Sequence, residues 1–182
     1  RMSNERIKAW SYSRLVDFEQ CKLRAKIKYI DRIPEPARPL PPGKTEHAND
    51  RGTRIHDAGE RFVRGGVELI PELKAFETEF NDLRNKYKHG MVSLEGEWAV
   101  NKDWEPVAWG DRDAWARIKL DAFVRLSKTH AVVIDYKSGK KFGNEIKHAE
   151  QTQLYQLAAF LRYPELETID VELWYTDQDD LT

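Results

Sequence analysis

Along the first half of the chain, apolar residues recur every three or four positions, which is the spacing of amphipathic helices. Proline-rich residues 33–48 interrupt this pattern and predict an extended loop or a mobile arm. Lysines and arginines form a basic side on the first predicted helix. The helices are predicted from Ser11 or Ser13 as N-cap to Tyr29, from Asn49 or Asp50 to Gly65-Gly66, and from Pro71 to about Lys88.

In the second half of the chain, apolar and polar residues alternate instead, which predicts β-strands. One further helix is predicted from Asn144 to about Arg162, before the proline at position 164. The order of helices, three strands, helix and strand predicts an α/β fold with a mixed sheet, in a single domain of residues 1–182. The predicted strands are 92–100, 115–125, 131–137 and 169–175.

Composition limits the classes of protein to consider. The chain has 182 residues, of which 40% are hydrophobic and 34% charged, as expected for one soluble core. The net charge of −1 gives no overall attraction to nucleic acid. The distribution is uneven, because residues 1–32 carry nine Lys or Arg against four acids, whereas residues 165–182 carry seven acids and no Lys or Arg.

The sequence lacks membrane-spanning and signal-peptide segments, and it lacks a second cysteine. No apolar segment approaches the roughly 20 residues of a membrane helix, and no signal-peptide block is seen, so a cytoplasmic location is expected. Cys21 is the single cysteine, which excludes an intrachain disulfide and a site made of several thiolates.

An acid and a lysine lie two residues apart at the end of the apolar run that begins at Ala131. Side chains alternate along a strand, so Asp135 and Lys137 face the same way. A carboxylate beside an ammonium group at a strand end can hold a metal ion and a phosphate. The other acid-x-Lys triplets, Glu72 to Lys74 and Glu145 to Lys147, do not follow such a run.

The predicted hairpin brings a second acid to the same place. If its turn centres on Lys128, Asp121 lies directly opposite Asp135, and opposed residues have Cβ atoms about 5 Å apart. Two carboxylates this close repel, so either one takes up a proton or both bind a cation. A slip of one residue would send Asp135 to the other face, so the expected site depends on this register.

Two helices carry further candidate pairs, each four residues apart. His56 and Glu60 lie on one side of the second helix, where a surface ion pair is the alternative interpretation. Gln151 and Tyr155 share a face of the last helix. Gln151 could bind a phosphate or base through its amide and Tyr155 could donate its hydroxyl or stack, whereas packing is the alternative for the tyrosine.

The loops around the second strand are rich in tryptophan and aspartate. Exposed tryptophan rings could stack unpaired bases, and packing against the sheet or its covering loop is the alternative. Asp111 and Asp113 could bind a metal ion or form a solvated turn. The tryptophans concerned are Trp98, Trp104, Trp109 and Trp115.

Taken together, these residues resemble the PD-(D/E)XK nuclease superfamily, and within it the RecB-like exonuclease branch with its lambda-exonuclease-like phage and bacterial members. The resemblance implies a restriction-endonuclease-like fold: an αβββαβ core with a mixed sheet flanked by helices, and extra N-terminal helices. The matching segments follow the family's order and cover most of residues 11–176. They are Ser11 to Tyr29, Gly52 to His56 with Glu60, Ile118 to Asp121, Val133 to Gly139, and Gln151-x-x-x-Tyr155.

The resemblance also implies what these residues do. Asp121, Asp135 and Lys137 would be catalytic, and Gln151 with Tyr155 would contact DNA. Glu60 would support His56, Glu97 is a weaker candidate acid, and Lys140 with Lys141 could hold the DNA backbone. The implied ligands of Mg²⁺ or Mn²⁺ are His56, Asp121, Asp135 and the carbonyl of Tyr136.

The implied activity is metal-dependent hydrolysis of DNA, expected to be exonucleolytic, in recombination, repair or phage DNA processing in a bacterial or phage-infected cell. Some branch members hold an iron–sulfur cluster through four cysteines, and the single Cys21 predicts no such cluster here. The sequence contains no Gly-x-x-x-x-Gly-Lys-Ser/Thr loop, so no helicase motor is predicted.

Two other classes remain as alternatives. One is a nucleic-acid-binding or assembly module that keeps the fold without cutting. The other is a helical interaction protein whose His and Asp residues are incidental. The sequence leaves open strand polarity, exonuclease against endonuclease action, homo-oligomers such as the rings that some relatives form around DNA, and a phage or bacterial recombination partner.

Overall fold

The computed structural model describes residues 6–139 and 141–177, together with the backbone of 180–181. The chain forms two compact units, and two strands run through both of them. The first unit consists of Arg1–Pro39 and Glu97–Ile118, and the second of Leu40–Gly96 and Lys119–Thr182. The fold is α/β with a mixed sheet, as predicted. No helix among the described residues is both long and apolar enough to cross a membrane.

The strands form one sheet in the order β2-β1-β3-β4-β5-β6. Four of them are the predicted strands, with bounds within one residue of those expected from alternation. The remaining two, β2 and β6, are two-residue strands that the sequence pattern did not predict. The bounds are β1 Val92–Val100, β2 Pro106–Val107, β3 Ala116–Arg125, β4 His130–Lys137, β5 Thr168–Tyr175 and β6 Asp180–Leu181.

The first predicted helix is broken into three pieces. Ser11 caps it as expected, since its hydroxyl accepts a hydrogen bond from the Arg14 amide at 3.3 Å. Cys21 then adopts an extended backbone, which ends the first piece, and its sulfur caps the second. The pieces are α1 Tyr12–Gln20, α2 Lys22–Ala25 and a π-helix at Lys26–Asp31.

The other helices lie where the sequence predicts them, with local differences. Helix α3 begins one or two residues before the predicted caps and ends before Gly65-Gly66. The third predicted helix starts as a 3₁₀ turn, which has a proline in its first position. The bounds are α3 Ala48–Val63, the 3₁₀ turn Pro71–Phe76, α4 Glu77–Lys88 and α5 Glu145–Arg162.

The hairpin register is the predicted one. Ala122 pairs with Ile134 and Arg125 with Ala131, so the turn centres on residue 128. β4 then pairs with β5 in parallel through the α5 crossover. Leu120 to Val124 are all buried, so this part of β3 is covered on both faces rather than on the single face that alternation suggested.

The core of the second unit lies between α3, α4 and one face of the sheet. Ala122, Val124, Ile134 and Tyr136 supply the sheet side, and aromatic residues of the helical layer pack against them. The Phe80 ring lies 5.1 Å from the ring of Tyr136 and 5.1 Å from that of Trp174. This packing fixes the distance between α3 and the end of β4.

At Gly59, α3 lies close to side chains of the sheet and of α4. A Cβ atom there would lie 3.1 Å from a ring carbon of Tyr136 and 3.2 Å from one of Phe80. Both rings are fully packed, so neither can move aside. The missing side chain is therefore what allows this helix to lie against β4.

We expect Gly59→Ala to destabilise the protein by about 1–2 kcal/mol, because overpacking outweighs the better helix propensity of alanine. Urea unfolding followed by circular dichroism measures the change. Gly110→Ala is the control, since a Cβ atom there would meet no other atom within 4 Å. A Gly59→Ala protein as stable as wild type would contradict this account of the packing.

Candidate active site

Asp121 lies on β3 next to the hairpin partner that the register assigns to it, Asp135. Its Oδ1 lies 2.6 Å from Nδ1 of His56, and its Oδ2 accepts a hydrogen bond of 2.6 Å from the backbone amide of Tyr136. Burial, as the largest cause, and the charge of Asp135 raise the pKa of Asp121 to about 7 against the opposing effect of His56. A second negative charge is therefore disfavoured here.

Asp135 and Lys137 point to the same side of β4, as strand alternation predicts. Lys137 Nζ lies 2.5 Å from Oδ2 of Asp135, and both side chains are largely buried, with 16% and 8% of their surface exposed. A buried ammonium group is stable only beside an anion, so the pair fixes the direction of the lysine.

Helix α5 contributes one partner to each member of this ion pair. Gln151 Oε1 accepts a hydrogen bond of 2.6 Å from Lys137 Nζ, and the hydroxyl of Tyr155 donates to Asp135 Oδ2 at 3.2 Å. Burial, with the nearby carboxylates, raises the pKa of Tyr155, so the hydroxyl keeps its proton. The four-residue spacing puts both groups on the sheet side of the helix.

His56 projects from α3 towards the two acids. Burial lowers its pKa, but the hydrogen bond and charge of Asp121 and the charge of Asp135 outweigh this, so the pKa lies above its usual value. Its ring lies 5.7 Å from the ring of Tyr136. Gly52, one turn earlier, leaves room for the loop after β4, since a Cβ there would lie 3.3 Å from Ser138 Oγ.

These side chains surround one cavity of about 480 Å³. It is therefore large enough to admit a phosphate group and the sugars on either side of it. Most of the predicted site residues line it: His56, Asp121, Asp135, Tyr136, Lys137, Gln151 and Tyr155.

Two predicted contributors lie elsewhere. Glu60 pairs with Arg64 at 2.6 Å instead of supporting His56, and it does not line the cavity. Lys141 Nζ rests 5.3 Å from the ring centre of Tyr175. Lys140 lies outside the described residues. Cys21 is exposed in the first unit.

The structure adds an acid that the sequence analysis placed two residues away. Glu95 lines the cavity and pairs with Lys119 at 2.7 Å, whereas Glu97, the weaker candidate, is exposed and does not line it. Glu95 has a φ of +48°, a rare conformation for a non-glycine residue. Glu95 and Glu97 are two residues apart, so alternation along β1 puts both on one face and does not tell which of them lines the cavity.

Arg51 was also missed. Its guanidinium binds Asp177 through two hydrogen bonds of 2.7 and 3.0 Å and donates to the Ser138 carbonyl at 3.1 Å. It therefore fixes the loop that follows Lys137. Its two partners lie 87 and 126 residues along the chain, so no local pattern could have shown these contacts.

Comparison with known proteins gives one family. The model of the PD-(D/E)XK nuclease superfamily matches residues 9–182, which is nearly the whole chain and includes both units. The chain belongs to the PD-(D/E)XK nuclease superfamily. No curated protein matches the chain. Membership implies DNA as the substrate and phosphodiester hydrolysis as the chemistry of the protein.

PD-(D/E)XK nucleases generally use divalent metal ions, and the donors in this cavity have suitable chemistry. Two carboxylates and an imidazole converge, and the raised pKa of Asp121 indicates a place where a cation would relieve repulsion. Within the described parts of the chain, no three His, Cys, Asp or Glu side chains are already arranged as a metal cage. The carboxylate oxygens are instead directed at protein donors.

The hydroxyl of Tyr136 is buried without a hydrogen-bond partner among the described residues, whereas that of Tyr155 binds Asp135. We expect Tyr136→Phe to leave stability unchanged or raise it by about 1 kcal/mol, because an unsatisfied polar group is removed. Tyr155→Phe should lower it by about 1 kcal/mol, because Asp135 loses a donor. Denaturant unfolding of both variants tests this, and equal effects would contradict the two assignments.

Proposed function

We propose that this protein is a metal-dependent deoxyribonuclease of the RecB-like branch that degrades DNA from its ends. The observation that carries the proposal is the convergence of Asp121, Asp135 and Lys137 on one cavity beside His56. The RecB-like assignment is supported by His56 on α3 and by Gln151 and Tyr155 on α5, which reach the same cavity.

The residues that would hold Mg²⁺ or Mn²⁺ are Asp121, Asp135, His56 and the carbonyl of Tyr136. When bound, the ion would supply Lewis-acid polarisation of the phosphate and lower the pKa of the attacking water. Binding would require Asp121 to exchange protein donors for the cation. Its raised pKa favours that exchange, since the ion replaces a proton in neutralising the pair.

Lys137 supplies fixed positive charge where the phosphate must lie. Its ammonium group is held by Asp135 and Gln151, so it needs little reorganisation as negative charge grows on the phosphate oxygens. One of its three protons remains available to orient a water or a phosphate oxygen. Tyr155 and Gln151 act on the reaction by fixing the carboxylate and the ammonium group.

A second candidate function is binding of nucleic acid without cleavage. The observation in its favour is that protein donors satisfy both oxygens of Asp121 and one oxygen of Asp135. In a binding module these contacts would be permanent and structural. In a nuclease a bound cation would replace them. The two functions therefore differ in whether the protein binds a metal ion, which can be measured without cleavage.

We expect Lys137→Ala to reduce cleavage at least about a hundredfold and Asp121→Ala to abolish it. End-labelled linear, circular and single-stranded DNA are incubated with Mg²⁺, Mn²⁺ or EDTA, and the product sizes are measured. Release of mononucleotides or short oligonucleotides from linear DNA only would support the exonuclease. Cutting of circles would instead indicate an endonuclease.

The control for Lys137 is Lys74→Ala, because Lys74 ends another acid-x-Lys triplet but is exposed and pairs with Glu77. It should cut like wild type. Full activity of both Lys137→Ala and Asp121→Ala would refute the assigned site.

We further expect Mn²⁺ to stabilise the folded protein by mass action. At a concentration about 100 times the dissociation constant the gain is about 2.7 kcal/mol, which raises Tm by about 5–10 °C. Asp121→Asn should lose this gain. Asp170→Asn should keep it, because Asp170 is an exposed acid on β5 that pairs with His130. A wild-type Tm that does not respond to Mn²⁺ would favour the binding module.

A further inference from the structure

The first unit contains a second cleft, of about 520 Å³, that the proposed hydrolysis does not use. Four cationic residues and two tryptophans contribute to its walls, together with two acids. The residues that carry its chemistry are Arg6, Lys8, Lys102 and Arg112, Trp10 and Trp115, and Asp103 and Asp113.

Its aromatic floor is fixed by the backbone. Trp10 donates its amide to the carbonyl of Trp115 at 2.7 Å, and a parallel bridge links it to Ala116. The Trp115 ring is supported edge-on by Trp104 at 5.4 Å. Both floor tryptophans remain partly accessible, and Trp104 is 45% exposed. Trp98, by contrast, is buried in packing, and Trp109 carries the guanidinium of Arg117 at 5.1 Å.

Two of the cations project from turns that the chain itself holds in place. Lys102 lies in a turn closed by Asn101, whose Oδ1 accepts hydrogen bonds from the amides of Asp103 and Glu105 at 2.9 Å. Arg112 lies in a turn closed by Asp111, which accepts from the Asp113 amide at 2.8 Å. Asp111 is thus a turn residue.

Lys102 and Arg112 are exposed, and neither has an ion-pair or hydrogen-bond partner in the part of the chain that the structure describes. An unpaired cation keeps its full attraction for an external anion, whereas a paired one must first give up its partner. Aromatic rings and such cations in the walls of one cleft match a polymer that alternates anionic and aromatic groups. Single-stranded nucleic acid has this chemistry, because its phosphates bind cations and its exposed bases stack on aromatic rings.

We propose that this cleft binds an unpaired DNA strand, with phosphates on Lys102 and Arg112 and a base stacked on Trp115. The inference rests on the proposed function only in taking DNA as the polymer, and it does not depend on cleavage. Duplex DNA lacks free base faces, so it would use the cations without the rings. The acids Asp103 and Asp113 repel phosphates. They therefore oppose binding and limit the number of phosphates that the cleft can hold.

The test measures binding of the full chain to fluorescein-labelled DNA by anisotropy in EDTA, where a metal-dependent reaction cannot occur. The probes are an oligothymidine of about 12 nucleotides and a duplex of equal length. We expect Lys102→Glu/Arg112→Glu to weaken oligothymidine binding at least tenfold. Loss of two phosphate contacts should also reduce the slope of log affinity against log salt by about 1.4.

Three further variants test whether the effect is specific to the cations and the ring of this cleft. Lys88→Glu/Lys128→Glu changes charge equally at exposed residues outside the cleft and should bind like wild type. Asp103→Asn/Asp113→Asn removes the opposing acids and should bind severalfold more tightly. Trp115→Leu should lose about tenfold for oligothymidine and little for the duplex, because only unpaired bases stack.

Several results would overturn the proposal. These are an unchanged affinity and salt slope in Lys102→Glu/Arg112→Glu, an equal loss for duplex and single strand in Trp115→Leu, or a wild-type chain that binds neither probe. Displacement by polyglutamate at matched charge, with no effect of Trp115→Leu, would assign the cleft to acidic peptides instead. Absence of cleavage by a wild type that still binds as described would refute the nuclease proposal and leave this inference standing.

Discussion

The pairing register of β3 and β4 is the constraint on which the candidate active site depends. The same alternation that sends Ala122 and Ile134 into the core sends Asp121 and Asp135 to the opposite face. A slip of one residue would therefore expose the core face and separate the two acids at once. Burial of apolar surface thus stabilises the acid pair's position, although the acids themselves repel.

The unfavourable burial of charge is offset by donors from several elements. Asp121 takes one donor from α3 and one from the β4 backbone, and the ion pair of Asp135 and Lys137 takes two partners from α5. Removing one partner leaves a buried charge unsatisfied, which costs more than the intact contact contributes. The cavity therefore links helices on both sides of the sheet. Gly59 allows α3 to approach it closely, and Arg51 holds the loop after β4 beside it.

The parts of this site that the sequence could predict are those fixed by local periodicity. The hairpin register followed from one turn and two alternating strands, and the shared helix face of Gln151 and Tyr155 followed from their four-residue spacing, although their contacts with Lys137 and Asp135 did not. Glu95 escaped prediction because alternation puts it on the same strand face as Glu97 and does not distinguish the two acids. The break at Cys21 and the partners of Arg51 depend on conformations and distances along the chain that no short pattern contains.

Charge counting along the sequence finds a positive excess in residues 1–32, which is not the segment where the contacts leave cations unpaired. The basic side of the first predicted helix is largely neutralised from within, because Arg24 and Lys28 pair with Asp17 and Lys26 pairs with Asp31. The segment 97–118 carries more acids than cations, yet Lys102 and Arg112 lack partners among the described residues. A polyanion responds to the cations that a protein leaves unpaired and not to their number in a segment. Local charge density along a sequence is therefore a poor guide to where DNA binds when the acids that neutralise it lie within one or two helical turns.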